Sequence, residues 1–289
     1  METESIRNFF SSLTRKPEAF VAVIIFSSFI VLAIFAPYIA PHDPRKGDIL
    51  NRLKPPMWAE RGNKEHILGT DSLGRDVLSR LIVGSRISLL VGIGGVIVAG
   101  GIGVFTGLLA GYFGGKLDDV IMRIVDVQLS FPFILLAIAV LMVLGGGVVN
   151  VVIVLSLAKW VTFSRVSRGQ VLTIREYDFV EAVRASGASE SRILFRTILP
   201  NLVAPITVIA SFTFAEMIIG EAQLSFLGLG VPPSIPTWGG MLSEGKEYII
   251  QAWWLATFPG LAIMLIVLSI NIVGDWLRDY LDPKLDLYT

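Results

Sequence analysis

Three ionisable residues stand within the apolar stretches of this 289-residue chain, where a charge could bind or pair with another charge. A charge at the centre of a bilayer costs about 2.5–3.5 kcal/mol on insertion scales, so such residues are usually paired or functional. We interpret Lys159, which stands beside Trp160, as snorkelling to a membrane interface. Glu216 and Glu221 either face a water-filled vestibule and contact a cationic group, or serve as a helix-end cap or an interhelical partner.

The sequence offers few residues for disulfide formation, metal binding or nucleotide binding. The chain has no cysteine, which excludes disulfides and thiolate metal sites. His42 and His66 lie in one loop without a companion at metal-ligand spacing, so we expect ordinary surface histidines and no metal site. The only Gly-Lys pairs, at 115–116 and 245–246, are followed by Leu and Glu, so the phosphate-binding motif Gly-x-x-x-x-Gly-Lys-Ser/Thr is absent. We therefore expect no catalytic residues and no nucleotide bound by this chain.

The composition predicts an all-α integral membrane protein. Hydrophobic residues make up 53% of the chain, charged residues 17%, and the mean hydropathy is +0.69. Uncharged runs long enough to cross a bilayer occupy residues 19–40, 87–115, 127–158, 197–215 and 248–274. The run 127–158 would extend about 48 Å as one straight helix, against a hydrocarbon core of about 30 Å. We expect it to break at Gly145-Gly146-Gly147, which gives six spans.

Six spans place both termini on one side of the membrane. The first run has no small-residue cleavage site after it, so we interpret it as a retained anchor and not a signal peptide. The predicted organisation is a tail (1–18), an anchor (19–40), a loop with an amphipathic helix (41–86), a core of five spans (87–275) and an amphipathic tail (276–289). In the loop, Asp71 or Ser72 is expected to cap a helix from 74 to about 83, with Asp76 pairing with Arg80.

The second span carries a small residue at every fourth position. Such a ridge lets helix backbones approach closely, so we expect it to pack against another helix or subunit, in preference to lining a wide path. The ridge consists of Gly95, Ala99, Gly103, Gly107, Gly111 and Gly115.

A charged segment, 165–200, interrupts the core, and its pattern predicts two short helices joined at a glycine. Asp178 and Glu181 fit the first turn of a helix, where carboxylates satisfy free backbone N–H groups. Gly187 supplies a turn, because glycine tolerates a positive φ. Ser189 is then expected to cap the second helix, and Pro200 to begin the next element.

This spacing resembles the Glu-Ala-Ala loop of ATP-binding-cassette (ABC) importer permeases. The matching residues are Glu181-Ala182, Gly187 and Leu199-Pro200, with departures at Val183 and Thr197. The resemblance implies that the loop docks on a separate ATPase. The alternative is a capped hairpin lying at the membrane surface. The expected coupling residues are Asp178, Glu181, Ala182, Gly187, Leu199 and Pro200.

Residues 66–89, which include Leu68-Gly69-Thr70-Asp71 and Gly74-Arg75-Asp76, closely resemble the second permease of the di- and oligopeptide ABC importers. Pro41-His42-Asp43-Pro44 and the segment 274–279 extend the resemblance over nearly the whole chain. It implies the MetI-like six-span fold, with both termini and the 165–200 loop in the cytoplasm. It also implies a multi-pass protein of the bacterial or archaeal cytoplasmic (inner) membrane.

The same resemblance implies the partners and the cargo. The partners would be a homologous second permease, two ATP-binding subunits or a fused pair that hold ATP and Mg²⁺, an extracytoplasmic substrate-binding protein and the lipid bilayer, with no nucleic acid. The cargo would be a di- or oligopeptide, whose amine Glu216 and Glu221 could meet on the translocation path. Nickel, glutathione and oligosaccharides remain alternatives, because permeases for these cargoes share the outer-loop string.

Three further points complete the sequence-based picture. Charge counting gives a weak orientation, since Lys and Arg are frequent in 41–86 as well as in 165–200. A remote alternative, an ion-coupled carrier, would show inverted repeats and buried acidic relays, and the spans show neither. The segment 224–247, with Trp238 and several prolines, is expected to be rigid and irregular with an aromatic at the interface, shaping the mouth or receiving the binding protein.

Overall fold

The computed structural model describes residues 12–281, and this part of the chain is helical, with one isolated β-bridge between Thr70 and Asp76 and no strand. Residues 1–11 of the predicted N-terminal tail and 282–289 of the predicted C-terminal tail lie outside the described residues. We label the longer helices α1 (Pro17–Ile39), α2 (Val77–Phe113), α3 (Gly115–Leu129), α4 (Phe133–Leu144), α5 (Val148–Ile174), α6 (Asp178–Ala185), α7 (Val203–Phe226), α8 (Trp238–Gly245) and α9 (Trp254–Leu281).

Five helical runs of the described chain are long and apolar enough to cross a membrane: α1, α2, α5, the run Glu190–Phe226 that includes α7, and α9. Helices α3 and α4 meet at 91°, and they make a sixth span if the bent pair counts as one. The all-helical prediction is confirmed, and the six predicted spans fall within this count. The expected break at 145–147 is also confirmed, because α4 ends at Leu144 and α5 begins at Val148.

A second break was not foreseen. Residues 127–129 complete α3, which begins at Gly115, so the expected span beginning at residue 127 is wrong. The chain turns at 130–132 because Pro132 has no N–H to donate and disfavours helical geometry in the residue before it.

Helix α2 corrects the expected extent of the outer amphipathic helix. It begins at Val77, where the Asp76 side chain accepts a hydrogen bond from the Ser79 N–H at 2.8 Å. It then runs without interruption for 37 residues, about 55 Å, into the predicted second span. The separate helix from 74 to about 83 is therefore wrong. Gly74 instead occupies a turn at φ +73° before the helix.

The glycine ridge of α2 packs against α5, as predicted. A Cβ placed on Gly103 would lie 2.3 Å from the carbonyl oxygen of Trp160, and one on Gly107 would lie 2.4 Å from that of Ser164. The two backbones therefore touch, which membrane helices achieve only at small residues. Gly115 is not part of the ridge, because α2 has already ended and nothing lies within 4 Å of its Cβ position.

Side-chain contacts identify the two ends of the helical bundle. At one end, Lys16 Nζ lies 2.5 Å from an Asp279 carboxylate oxygen, so the start of α1 adjoins the end of α9. At the other end, Trp254 Nε1 donates to the Thr70 carbonyl at 3.1 Å. We call these the terminal end and the 41–76 end. Helix α9 thus reaches Leu281, beyond the predicted boundary at 275.

Candidate coupling site and polar clusters

The predicted hairpin is present in 178–192. Helix α6 has Asp178 and Glu181 in its first turn, as predicted. Gly187 follows it at φ +80°, in the left-handed region that favours glycine. Ser189 precedes the next helical turn, but its side chain makes no capping hydrogen bond, so the predicted Ser189 cap is wrong.

Pro200 does not begin a separate element. Three short helical stretches precede α7 and continue into it as one run: an α-helical turn (Glu190–Arg192), a wide π-type turn (Ile193–Ile198) and a 3₁₀ turn (Leu199–Leu202). A proline inside an α-helix removes one hydrogen bond and clashes with the carbonyl four residues earlier. The widened turn before Pro200 and the tightened turn that contains it accommodate both effects.

An apolar core anchors the hairpin to the spans. Val180 of α6 and the buried residues of the following turns pack against Leu108 of α2 and the end of α5. Two polar contacts add to this core: Arg175 donates to the Gly111 carbonyl at 2.8 Å, and the Tyr112 hydroxyl hydrogen-bonds to Glu190. The hairpin therefore packs against α2 and α5, at the end of α2 opposite the 41–76 end.

The outer face of the hairpin is exposed. Of the expected coupling residues, Asp178, Glu181, Ala182, Gly187 and Pro200 are exposed and Leu199 is half-buried. Three aromatic side chains that the sequence reasoning missed share this exposure: Tyr177, Phe179 and Phe195 are 43–50% exposed. Large apolar side chains within a charged hairpin were the signal that could have identified them. We call the outer face, with these aromatics, the coupling surface.

One arginine of the coupling surface is held by its neighbours. Arg184 Nη1 donates to a Glu181 carboxylate oxygen at 3.2 Å. Its pKa is raised above the ordinary value, first by a hydrogen bond with Tyr112 and then by nearby carboxylates. The guanidinium is therefore a permanent positive charge on an otherwise acidic first helix.

Two of the three ionisable residues of the apolar stretches pair with each other, and the third is hydrogen-bonded. Lys159 of α5 lies 2.8 Å from Glu216 of α7, which makes Glu216 an interhelical partner and corrects the interpretation of Lys159 as snorkelling alone. Glu221 is buried, accepts a hydrogen bond from Ser225 at 2.8 Å, and has further hydrogen-bonding neighbours at the start of α8 and in α2. The role of both glutamates on the translocation path stays a prediction. If replacement of both glutamates by glutamine left substrate-stimulated transport unchanged, this role would be ruled out.

A buried ionic network ties the 41–76 end to α8. Asp71 accepts hydrogen bonds from Arg75 Nε at 2.6 Å and from Arg80 Nη1 at 2.5 Å. Both arginines also bind Glu244, at 2.9 Å and 2.6 Å. The predicted pairing of Asp76 with Arg80 is therefore wrong. We call these four residues the Asp71 network.

Two further expectations for the 41–76 end are corrected. His66 is buried, with Nδ1 2.9 Å from Asp76 Oδ1, and the His42 ring lies 4.9 Å from the His66 ring. They are therefore not two separate surface histidines, and Asp76 is the acidic companion that sequence spacing did not reveal. Trp238 is buried within the chain, where its Nε1 donates to the Leu81 carbonyl at 3.0 Å. It begins helix α8, so the segment expected to be irregular contains a helix.

Comparison with known proteins identifies the class to which this architecture belongs. Residues 103–287 match the family described as binding-protein-dependent transport system inner membrane component. The chain belongs to this family of ABC importer permeases and is a multi-pass protein of the inner membrane. Residues 6–56 match the N-terminal transmembrane domain of oligopeptide transport permease C.

Individual relatives cover almost the entire chain. The chain is 42% identical to the di/tripeptide transport system permease protein DppC of Pseudomonas aeruginosa, over 97% of this chain and 92% of the relative. It is 44% identical to the glutathione transport system permease protein GsiD of Pectobacterium atrosepticum, over 96% and 91%. A solved structure of the MetNI methionine ABC transporter, in an inward-facing conformation, aligns with a TM-score of 0.56 and 22% identity, over 70% of this chain and 96% of that chain. This last similarity confirms the predicted fold.

Proposed function

We propose that this chain is a permease subunit that imports di- or oligopeptides across the inner membrane, driven by separate cytoplasmic ATPase subunits. The observation that carries the proposal is the 42% identity over 97% of the chain to a di/tripeptide permease. The exposed coupling surface supports it, because an unpartnered apolar and charged patch is typical of a protein-binding site.

The proposed assembly contains a homologous second permease, two ATP-binding subunits or a fused pair that hold ATP and Mg²⁺, and an extracytoplasmic substrate-binding protein. The family description, which names binding-protein-dependent transport, supports the last of these. Met142 and Val143, at the end of α4, are 74% and 85% exposed. Such apolar side chains would be covered by lipid or by the second permease.

In the proposed mechanism, ATP binding closes the two ATPase subunits, and the coupling surface moves with them. The hairpin shares one apolar core with α2 and α5, so its displacement tilts both spans and exposes the path alternately to each side. Such coupling requires the docked hairpin to make different contacts in the two states, because a ligand with equal affinity for both shifts nothing.

Transport by the reconstituted assembly tests this function and its cargo. The complete complex in liposomes is expected to accumulate a labelled dipeptide only with ATP and the binding protein. Glutathione is the second candidate cargo, because a glutathione permease is 44% identical to this chain, and it is tested beside nickel and an oligosaccharide as competitors. Uptake that requires an ion gradient and no ATP would contradict the proposal.

The orientation is tested by cysteine labelling. The natural chain has no cysteine, so single replacements give unambiguous signals. Ser189→Cys, on the hairpin, is expected to react with an impermeant maleimide only after the cells are opened. Lys46→Cys, at the 41–76 end, where the lysine side chain is 86% exposed, is expected to react in intact cells. Labelling of Ser189→Cys from outside would overturn the cytoplasmic placement of the hairpin.

Replacement of Gly187 by valine is expected to uncouple ATP hydrolysis from uptake. A β-branched residue held at φ +80° stores about 1–3 kcal/mol of backbone strain, so the turn relaxes and the coupling surface changes shape. Because 1.4 kcal/mol is a factor of ten, peptide uptake per ATP hydrolysed is expected to fall about tenfold or more.

Gly187→Asn is the matched control for this experiment, since asparagine tolerates the left-handed region and retains the turn. Nothing lies within 4 Å of the Gly187 Cβ position, so neither variant introduces a clash within the chain. Full coupling in the valine variant would contradict the role of this turn.

A further inference from the structure

Two imidazoles and one carboxylate converge at the 41–76 end, in a cluster that transport by the coupling mechanism does not use. His42 follows α1, His66 lies in the loop, and Asp76 caps α2, so three separate segments supply them. One ligand atom from each lies within 4.8 Å of the other two. Nδ1 of His66 and of His42 are 2.9 Å and 3.7 Å from the two Asp76 carboxylate oxygens.

These distances suit a small divalent cation of the zinc class. Zinc binds imidazole nitrogen and carboxylate oxygen at about 2.0–2.2 Å, so tetrahedral ligand atoms stand about 3.3 Å apart. The two nitrogen–oxygen separations, each to a different oxygen of Asp76, lie on both sides of that value, and one ligand atom from each residue lies within 4.8 Å of the others. Shifts of at most about 1.5 Å therefore bring all three atoms to tetrahedral spacing. Two imidazoles with one carboxylate also favour zinc and similar transition metals over Mg²⁺ or Ca²⁺, which take oxygen ligands.

The cluster is held in position by its surroundings, as the ligands of a metal site usually are. Asp76 Oδ2 accepts hydrogen bonds from the Ser79 N–H at 2.8 Å and the Ser79 hydroxyl at 2.7 Å, which fixes the carboxylate plane. The Ser79 hydroxyl oxygen in turn accepts a hydrogen bond from the His42 backbone N–H at 2.9 Å. One serine therefore positions two of the three ligands.

Burial distinguishes the inner ligands from the outer one. The side chains of His66 and Asp76 are 10% and 1% exposed, whereas that of His42 is 41% exposed. A cation could therefore enter from the solvent at His42 and retain a water molecule as its fourth ligand.

We propose that His42, His66 and Asp76 form a binding site for a divalent transition-metal ion of the zinc class at the 41–76 end of the chain. The bound ion would clamp the segment after α1 to the start of α2, which stiffens the outer rim of the permease. The proposal does not depend on the identity of the cargo.

Binding of Zn²⁺ and Co²⁺ to the full-length, tag-free chain in nanodiscs tests the proposal. One Zn²⁺ per chain is expected in competition with a chromophoric chelator, and Co²⁺ is expected to give the visible absorption of a site with four or five ligands. His42→Ala is expected to weaken binding at least tenfold.

The controls separate loss of a ligand from loss of the fold. Glu65→Gln removes an exposed carboxylate next to His66 and is expected to bind zinc as the wild type does. Asp76→Asn keeps a side-chain oxygen to cap α2 and is expected to bind at least tenfold more weakly. The His66→Gln variant removes the buried ligand and could fail to fold. In that case His42→Ala still tests the site, because the His42 backbone N–H that donates to Ser79 is retained.

A thermal readout does not depend on the chelator. Zinc that binds the folded chain is expected to raise the unfolding temperature of the wild type and of Glu65→Gln, and to leave that of His42→Ala unchanged. Equal zinc affinity in the wild type and His42→Ala, or no stoichiometric binding by the wild type, would overturn the proposal. The cluster would then be a hydrogen-bonded histidine–aspartate pair with a neighbouring imidazole.

Discussion

Replacement of Gly103 by alanine is expected to reduce the stability of this permease sharply, although it adds a single methyl group. That methyl would lie 2.3 Å from the carbonyl oxygen of Trp160, an atom that cannot move without its helix. Helices α2 and α5 must then separate along their shared ridge. Overpacking of this kind costs about 1–3 kcal/mol, and the neighbouring contact at Gly107 would loosen with it.

Gly101→Ala is the matched control, because Gly101 lies on the exposed side of the same helix with nothing within 4 Å of its Cβ position. The unfolding temperature of each variant in detergent, together with its yield from membranes, measures the effect. We expect a lower temperature for Gly103→Ala and little change for Gly101→Ala. Equal temperatures would show that the ridge is not a close helix contact in the membrane.

Replacement of Asp71 by alanine is expected to have the largest effect on stability. Its carboxylate accepts hydrogen bonds from Arg75 and Arg80, and the Arg80 side chain is 3% exposed, so removal leaves a buried guanidinium with only Glu244 as a charged partner. Breaking a buried ion pair by removing one member costs about 3–5 kcal/mol, because the remaining charge has lost its compensation.

Two comparisons isolate the ionic part of this effect. Asp71→Asn retains an oxygen that can accept from the Leu73 and Arg75 backbone N–H groups, so its loss of stability reports mainly the missing charge. Asp43→Ala removes an exposed acid of the same segment, whose pairing with Lys46 at 4.0 Å is expected to contribute at most about 1 kcal/mol. Chemical unfolding in detergent should rank Asp71→Ala as the least stable of the three. An Asp71→Ala protein as stable as Asp43→Ala would contradict the structural role of the Asp71 network.

The Asp71 network also connects the 41–76 end with the segment 224–247, which is expected to shape the mouth of the path. Arg75 and Arg80 join Asp71, before α2, to Glu244 of α8, so the 41–76 end is tied to the helix that follows α7. Trp254 adds a second connection between this end and α9. A partner that binds at the 41–76 end would therefore contact a surface whose parts are already connected.

The sequence by itself determined the features that depend on neighbouring residues and on composition. An apolar chain predicts membrane helices because backbone groups in lipid must bond within their own segment. The period of four in α2 predicts close packing, and the positions of Asp178, Glu181 and Gly187 predict a helix followed by a left-handed turn. Each of these signals lies within one or two helical turns, so local rules suffice.

Only the tertiary structure decided which distant residues meet. Arg75 pairs with Glu244 across 169 positions, and His42 and His66 meet at Asp76 because the end of α1 lies beside the start of α2. Spacing along the chain instead favoured the pair Asp76–Arg80, which does not form. Two residues four positions apart on a helix lie one turn apart, so Asp76 and Arg80 could have paired. Instead, Asp76 binds His66 and Ser79, and Arg80 binds Asp71 and Glu244, because the tertiary structure brings these partners closer. The break at 130–132 did carry a local signal, Pro132, but the 91° angle at which α3 and α4 meet is set only in the tertiary structure.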